Sequence, residues 1–392
     1  MYDVLIMGGG LAGLMAAEMA ERLGASAALI DAGVPGTEGG LGGFAPFSGA
    51  KFSLFPAGTG IAPIVGGKDA LIERYRQACA SFAALGFSQF EISDLQLAGE
   101  ETAVDCELSY RRYHSILLAP TEMNSLLSVL VERLSTTAIV RATVTGLDVS
   151  SSGKIEVLLA NGMRVAGKHL VVATGRLGAQ LLLAAGVPQT SGKGIDVGIR
   201  LAFRDRGPLA GLRNLGPDAK FMADGVRTFC LNSPGRIFHY PGMGFSLPGG
   251  IVADPDWAES NVGILCRLAD REGVLTELHR HAPPVEAPPL EQEGNGVDLG
   301  WSASSQGIVG EKVVRQINAF VAKLVHSGLV ALPPFYVVHY PLLDWYWPVF
   351  SRPGRLATGI PGIVAAGDIS GHARGLMQAA VMGSLAVEEA LR

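Results

Sequence analysis

Apolar residues recur along the chain in two rhythms. Tyr2 to Met7 is a short continuous apolar run, after which Leu11, Leu14, Met15 and Met19 repeat with the period of a helix between Leu11 and Leu23. A second run, Ala27 to Ile30, ends at Asp31, so the chain opens as strand, glycine turn, helix, strand. Helical spacing returns over Lys68 to Leu85 and over Thr121 to Leu134, with Thr121 as the expected N-cap after Pro120. The segments "AIVRATVTGLDV", "KIEVLLA" and "KHLVVAT" between Ala138 and Val172 read as strands, and Asn161-Gly162 predicts a hairpin turn between two of them. From about 195 to 350, strand-like runs alternate with Pro-rich connections and one strong helix over Val313 to Val325. "GIVAAGD" then reads as a strand returning to the first sheet, and Gly371 to Leu391 as a long helix.

A chain of 392 residues exceeds what one hydrophobic core usually supports. The pattern divides it into a discontinuous first domain, 1–190 with 351–392, and a mixed α+β region, 191–350, assigned to the substrate. The Gly- and Pro-rich stretch from Gly33 to Gly67 is too long for a connecting turn and is expected to lie over a ligand.

Composition narrows the picture. Hydrophobic residues make up 48% and charged residues 17%, the balance of a folded α/β protein rather than a disordered one. With 31 Lys+Arg against 36 Asp+Glu and no basic run, nucleic acid is not an expected partner. Cys79, Cys106, Cys230 and Cys266 are far apart and lack C-x-x-C spacing, so neither zinc nor a redox pair is signalled. No apolar stretch reaches 18 residues and no basic flank precedes the first strand, which predicts a cytoplasmic protein without a membrane partner. The oligomeric state is not encoded in any of these features. Glycine, at 52 residues, is about twice its usual share and implies many close backbone approaches.

Gly8-x-Gly10-x-x-Gly13 follows a strand and opens a helix. The first glycine allows the tight turn, the second lets backbone approach a pyrophosphate, and the third lets the helix pack on the sheet. The helix start offers unpaired N–H groups and a positive dipole end. Asp31, at the end of the second strand, suits the hydroxyls of an adenosine ribose and would repel a 2′-phosphate, so FAD or NAD fits here and NADP does not.

"VVATG" (Val171 to Gly175) and "GIPGIVAAGD" (Gly359 to Asp368) resemble two marks of the two-dinucleotide-binding-domain flavoproteins. The loop Gly40-Leu41-Gly42-Gly43-Phe44-Ala45-Pro46-Phe47-Ser48-Gly49-Ala50-Lys51 is similar to one in a group of bacterial FAD-dependent dehydrogenases, as are "IDVGIR", "VRTFCLNSPG" and "GDISGHARGLMQAAVMG". Phe44, Ala45 and Gly49 depart from that group on the substrate side of the loop. The resemblance implies an α/β fold: a discontinuous Rossmann-like FAD-binding domain of the glutathione-reductase type, with a second mixed α+β substrate domain.

It also implies non-covalent FAD. The cofactor would be held by Gly8, Gly10, Leu11, Ala12 and Gly13, by Asp31 and Ala32, by Gly42, Gly43, Ser48 and Lys51, by Val144, and by Ala173, Thr174 and Gly175. At its other end, Gly367 and Asp368 would meet the ribityl chain, and the amides of Gly375, Leu376, Met377 and Gln378 the flavin N1 and C2 carbonyl.

Only one GxGxxG is present, so NAD(P)H, if it is the reductant, must visit the substrate cleft. His372, Arg374 and Tyr346 are the candidate catalytic residues, with His239 and His339 as further histidines to place. Tyr336, Tyr340, Trp345, Tyr346 and Trp347 crowd one stretch, where a buried Asp344 would need a polar partner. Arg111 and Arg112 in "SYRRYHS" are either an anion clamp or a solvated turn. The expected activity is two-electron oxidation of a small organic substrate. The alternatives are a monooxygenase reduced by NAD(P)H, or a flavin-containing protein that binds a partner or modifies RNA.

Overall fold

The run Val4–Met7 is wholly buried because the strand Tyr2–Met7 lies in the middle of a sheet covered on both faces. In the computed structural model of the protein, which describes residues 1–33, 40–97, 99–103 (backbone only at 100–103), 108–150, 153–190, 192–242, 244–281, 284 and 287–392, this strand has parallel neighbours on either side. Cys106 and residues 34–39 of the loop expected over the cofactor lie outside that set.

The parallel strands run in the order Ala138–Arg141, Ala27–Asp31, Tyr2–Met7, Arg164–Val172, Ile363–Ala365. The fourth continues backwards into an antiparallel meander with Ile155–Leu159 and Val144–Val149, turning at Gly162 (φ 83°). On one face lie the helices Leu11–Arg22, Lys68–Ala84, Pro120–Glu132 and Leu376–Ala390. The short helix Ala179–Ala184 packs on the other. Two glycines set the spacing: a methyl group at Gly13 would overlap the carbonyl oxygen of Gly8, and one at Gly383 would overlap that of Ala12. The first and last long helices therefore touch backbone to backbone. The helix expected to be capped by Thr121 starts one residue earlier, with Pro120 in its first turn and Ala119 as N-cap. A proline there removes only a donor that would lack a partner anyway, and the Glu122 carboxylate accepts the Ala119 N–H at 2.7 Å.

The second sheet is antiparallel throughout. Its order is Leu290–Gly294, Tyr336–Asp344, Ile195–Phe203, Ser260–Leu268, Val226–Asn232, Lys220–Ala223, Ser109–Arg112, Glu100–Ala103. Its last two strands come from 100–112, inside the stretch the sequence pattern gives to the first domain. Arg111 and Arg112 thus stand on a strand near the sheet edge and not in a solvated turn. The sheet has two unlike faces. Val197, Ile199, Leu201, Val262 and Ile264 pack on one face against Val313, Ile317, Phe320 and Leu324 of the helix Glu311–His326. Asp196, Arg200, Arg227, Asn261, Arg267 and Asp344 occupy the other, because registered partners share a face. That polar face looks towards the first sheet's glycine turns, and a hairpin, Gly235–Gly242 with Phe245–Val252, borders it.

Candidate functional site

The strand Tyr2–Met7 ends in a turn that only glycine can make. Gly8 (φ +107°) donates its N–H to Ile30 O at 2.9 Å, and a Cβ there would come within 2.6 Å of the Ala173 carbonyl. Gly9 donates to Asp31 Oδ2 at 2.6 Å. Gly10 is different: its φ of −71° suits any residue, and the nearest protein atoms to a Cβ there, in Gly42 and Gly43, are 3.9 Å away. Neither strain nor protein sterics requires glycine at this position. A side chain would instead fill the space at the N-terminal end of the helix that starts at Leu11, where the first-turn N–H groups have no intrahelical acceptors and the dipole is positive. The second glycine loop closes on the same spot. Gly42 N–H donates to Gly9 O at 2.8 Å, and a Cβ on Gly43 would lie 3.0 Å from Gly10 Cα. A diphosphate, with its charge and its oxygen acceptors, fits this cradle.

Asp31 anchors one end. Its two carboxylate oxygens accept the N–H groups of Gly9 and Gly33, each at 2.6 Å, and each retains a lone pair for a ribose hydroxyl. The exposed Ala32 follows it, and Asp31 O accepts the N–H of Ala142, two residues before Val144. Ser48 and Lys51 lead from the cradle to the second sheet. The Ser48 hydroxyl closes its own turn on Ala45 O at 2.7 Å, Ser48 O accepts from Val252 N at 3.0 Å, and the Lys51 ammonium donates to Leu231 O.

The other end is built by the turn Gly367–Ser370 and the start of the helix Leu376–Ala390, with Gly375 (φ +121°) before it. Gly367 packs beside Ala12, so this turn reaches the same helix start as Gly8 and Gly43. Asp368 accepts from Arg374 Nε at 3.2 Å, and its backbone oxygen accepts Trp347 Nε1 at 2.9 Å. Arg374 Nη1 also pairs with Asp344, which is 1% exposed and accepts from Arg227 at 3.2 Å and from its neighbour Trp345 N at 2.8 Å. Arg227 continues to Asp196 at 2.6 Å, and Arg267 binds the same carboxylate from the other side. Burial alone would push the Asp344 carboxyl up, but Arg374, Arg227 and Arg176 hold it below the usual carboxylate range. The polar partner that Asp344 needed is thus a pair of arginines, and a continuous ion chain joins Asp196 of the second sheet to Asp368 of the first.

Tyr346 stands in this cluster, its phenol pushed up to about 12 by burial, so it is a neutral hydrogen-bond donor. The Gln378 amide turns inward to Ser53 O at 2.8 Å and the Tyr75 hydroxyl at 2.9 Å, which fixes the helix start to the strand Lys51–Ser53. His372 is not brought to the cluster. Its Nε2 is bonded to Arg355 O at 2.7 Å, and burial lowers its pKa, so it stays neutral at pH 7. His239 and His339 pair instead on the second sheet and the adjoining hairpin, ring centroids 5.3 Å apart. Sequence reading missed Arg176, Arg227 and Arg267, although the alternation Asp196, Gly198, Arg200 in "IDVGIR" marks a strand with one polar face.

No protein-family model and no curated protein matches the chain. Among solved structures it is similar to the Diels-Alderase PyrE3 of the pyrroindomycin biosynthetic pathway, with 16% identity and a TM-score of 0.43 over 99% of this chain, and it spans only 64% of that protein's length. It is similar to a flavoprotein/dehydrogenase from Cytophaga hutchinsonii, at 12% identity and a TM-score of 0.44, covering 100% of this chain and 78% of that one. It is also similar to pqsL, a probable FAD-dependent monooxygenase from Pseudomonas aeruginosa, at 13% identity and a TM-score of 0.40, covering 100% and 87%.

Proposed function

We propose that the protein is an FAD-dependent oxidoreductase that carries out a two-electron oxidation of a small organic substrate. The observation that carries this reading is Gly10, a glycine that nothing in the protein requires, standing at an uncapped helix start. Leu11, Ala12 and Gly13 would hold the pyrophosphate, Asp31 the adenosine ribose, and Asp368 the ribityl hydroxyls. When bound, FAD supplies the exchange of two electrons.

The chain's own groups bind, orient and exclude water. Arg374 is fixed between two carboxylates and therefore keeps its proton; it acts by position and charge at the start of the last helix. Tyr346 holds its phenolic proton and can donate it in a hydrogen bond to a bound substrate. The buried Trp347 ring, held by Asp368 O, packs beside them and would keep water from a ligand bound there.

Two measurements test the reading. The purified protein should show flavin absorption bands. Gly10→Ala should weaken FAD binding at least about tenfold while leaving the unfolding midpoint of the apoprotein within about 2 °C, since only a ligand meets the added methyl. A colourless protein that refuses added FAD overturns the proposal. Bleaching by anaerobic NADH or NADPH would favour the monooxygenase alternative, and bands untouched by either would favour a dehydrogenase or oxidase reduced by its own substrate.

A further inference from the structure

We infer that the substrate is a planar carboxylate and that Arg176 binds its anionic group. This rests on the FAD reading, because Arg176 stands at the edge of the cradle: it follows Gly175 in the turn that packs on Gly8.

Its bonding partners single it out. At the junction of the two sheets, Arg227, Arg267 and Arg374 each touch a carboxylate, supplied by Asp196, Asp344 and Asp368. Arg176 and the buried Arg200 have none within ion-pair distance among the described residues; the Arg200 N–H groups are taken up by Pro248 O, Cys230 O and Asn261 Oδ1, whereas Arg176 meets phenol hydroxyls. The polar neighbours of Arg176 are phenol hydroxyls: Nη1 donates to the Tyr240 hydroxyl at 3.2 Å, and the Tyr346 hydroxyl lies alongside. The rest of its surroundings are ring faces: Tyr240 at 4.6 Å, Phe44 at 5.4 Å, Tyr346 at 5.6 Å and Trp347 at 5.8 Å from the guanidinium carbon. Rings exclude water and attract the cation, but they do not neutralise it. With its phenol at about 12, Tyr346 carries no charge to pair with it, and Asp344 and Asp368 act on it only from beyond ion-pair distance. A half-buried guanidinium with N–H donors to spare takes a carboxylate in bidentate fashion.

The shape of the substrate follows from the wall beside it. Phe44 packs edge-on against Tyr240 at 5.6 Å, Phe47 stacks on Phe238 at 5.3 Å, and Phe44 is 41% exposed, so the aromatic surface is open on one side. Such a surface suits an aromatic or conjugated body. The competing occupant of the same charge is the diphosphate of FAD itself, and the test separates the two.

The holoprotein would be titrated with benzoate, 4-hydroxybenzoate and indole-3-acetate, and with the corresponding neutral amides, reading the flavin visible spectrum. At least one acid should bind more than about tenfold tighter than its amide. Arg176→Gln should remove that preference, a loss of about 10- to 100-fold for the acid, and leave FAD affinity within about threefold. Equal binding of acids and amides overturns the inference. So does an Arg176→Gln protein that loses FAD but keeps the preference, which would assign the arginine to the diphosphate. If Arg176→Gln fails to fold, Tyr240→Phe removes only the hydroxyl that holds the guanidinium, and an unchanged preference there is equally fatal. Should the wild-type protein bind no FAD, the FAD reading falls, and the same acid and amide pairs are compared by thermal shift on wild type and Arg176→Gln.

Discussion

Gly10 and Gly13 lie three residues apart and make opposite demands. A methyl at Gly13 collides with the Gly8 carbonyl, which belongs to the turn itself, so Gly13→Ala must push the helix Leu11–Arg22 off the sheet. We expect it to cost more than about 2 kcal/mol by urea denaturation and to lose FAD as a consequence, where Gly10→Ala loses FAD with its fold intact. Both glycines and Asp31 were legible in the sequence because their partners are close along the chain and the strand–turn–helix geometry is standard. The ion chain was not. Asp344 visibly needed a partner, but whether it meets Arg227, Arg374 or neither depends on strand register and on how two distant segments meet. His372 stands away from the cluster for a local reason. It lies four residues beyond Asp368, but the left-handed Gly371 (φ +76°) turns the chain between them, and the ring points to Arg355 O.

Among elements, the strand Ile195–Phe203 joins the two kinds of chemistry, with aliphatic side chains on one face and Asp196 and Arg200 on the other. Gly198 sits between those two charges, where a side chain would overlap the carbonyl oxygen of Ile264 in the next strand. Gly198→Val should destabilise by about 2–4 kcal/mol and also weaken any ligand held at the polar face; an unfolding midpoint equal to wild type would contradict this placement. The helix Glu311–His326, the strands between 138 and 172 and the Asn161-Gly162 hairpin were readable because their periodicity is strong. The strand Ser109–Arg112 was not, since "SYRR" carries no apolar alternation and its place is decided by pairing with Lys220–Ala223, far along the chain.

The molecule as a whole is built to prefer neutral pH. Burial lowers the pKa of His114, His169, His239, His339 and His372, and His339, with His239 and Arg200 adding to the effect of burial, is pushed down to about 4. A group depressed in the folded state contributes stability above its unfolded pKa of about 6.5 and loses it as pH falls through the folded value. Urea stability should therefore decline from pH 6.5 towards pH 4. His339→Leu should flatten that slope, removing a contribution on the order of 3 kcal/mol at most. Asp344, also depressed, acts in the same direction lower on the scale. A wild-type slope that His339→Leu leaves unchanged would contradict this account. At this scale the return of "GIVAAGD" to the first sheet was legible. The sequence did not disclose that 100–112 cross into the second sheet, because exchange of strands between sheets leaves no local trace.

The backbone contact between Gly383 and Ala12 has a consequence for how the protein comes into being. The strand Ile363–Ala365 and the helix Leu376–Ala390 are synthesised some 340 residues after the helix Leu11–Arg22, roughly 20–70 s at ordinary translation rates. Throughout that interval the apolar side of the first helix lacks its natural cover. The cradle at Gly10 thus takes its final form only once Leu376–Ala390 has been made.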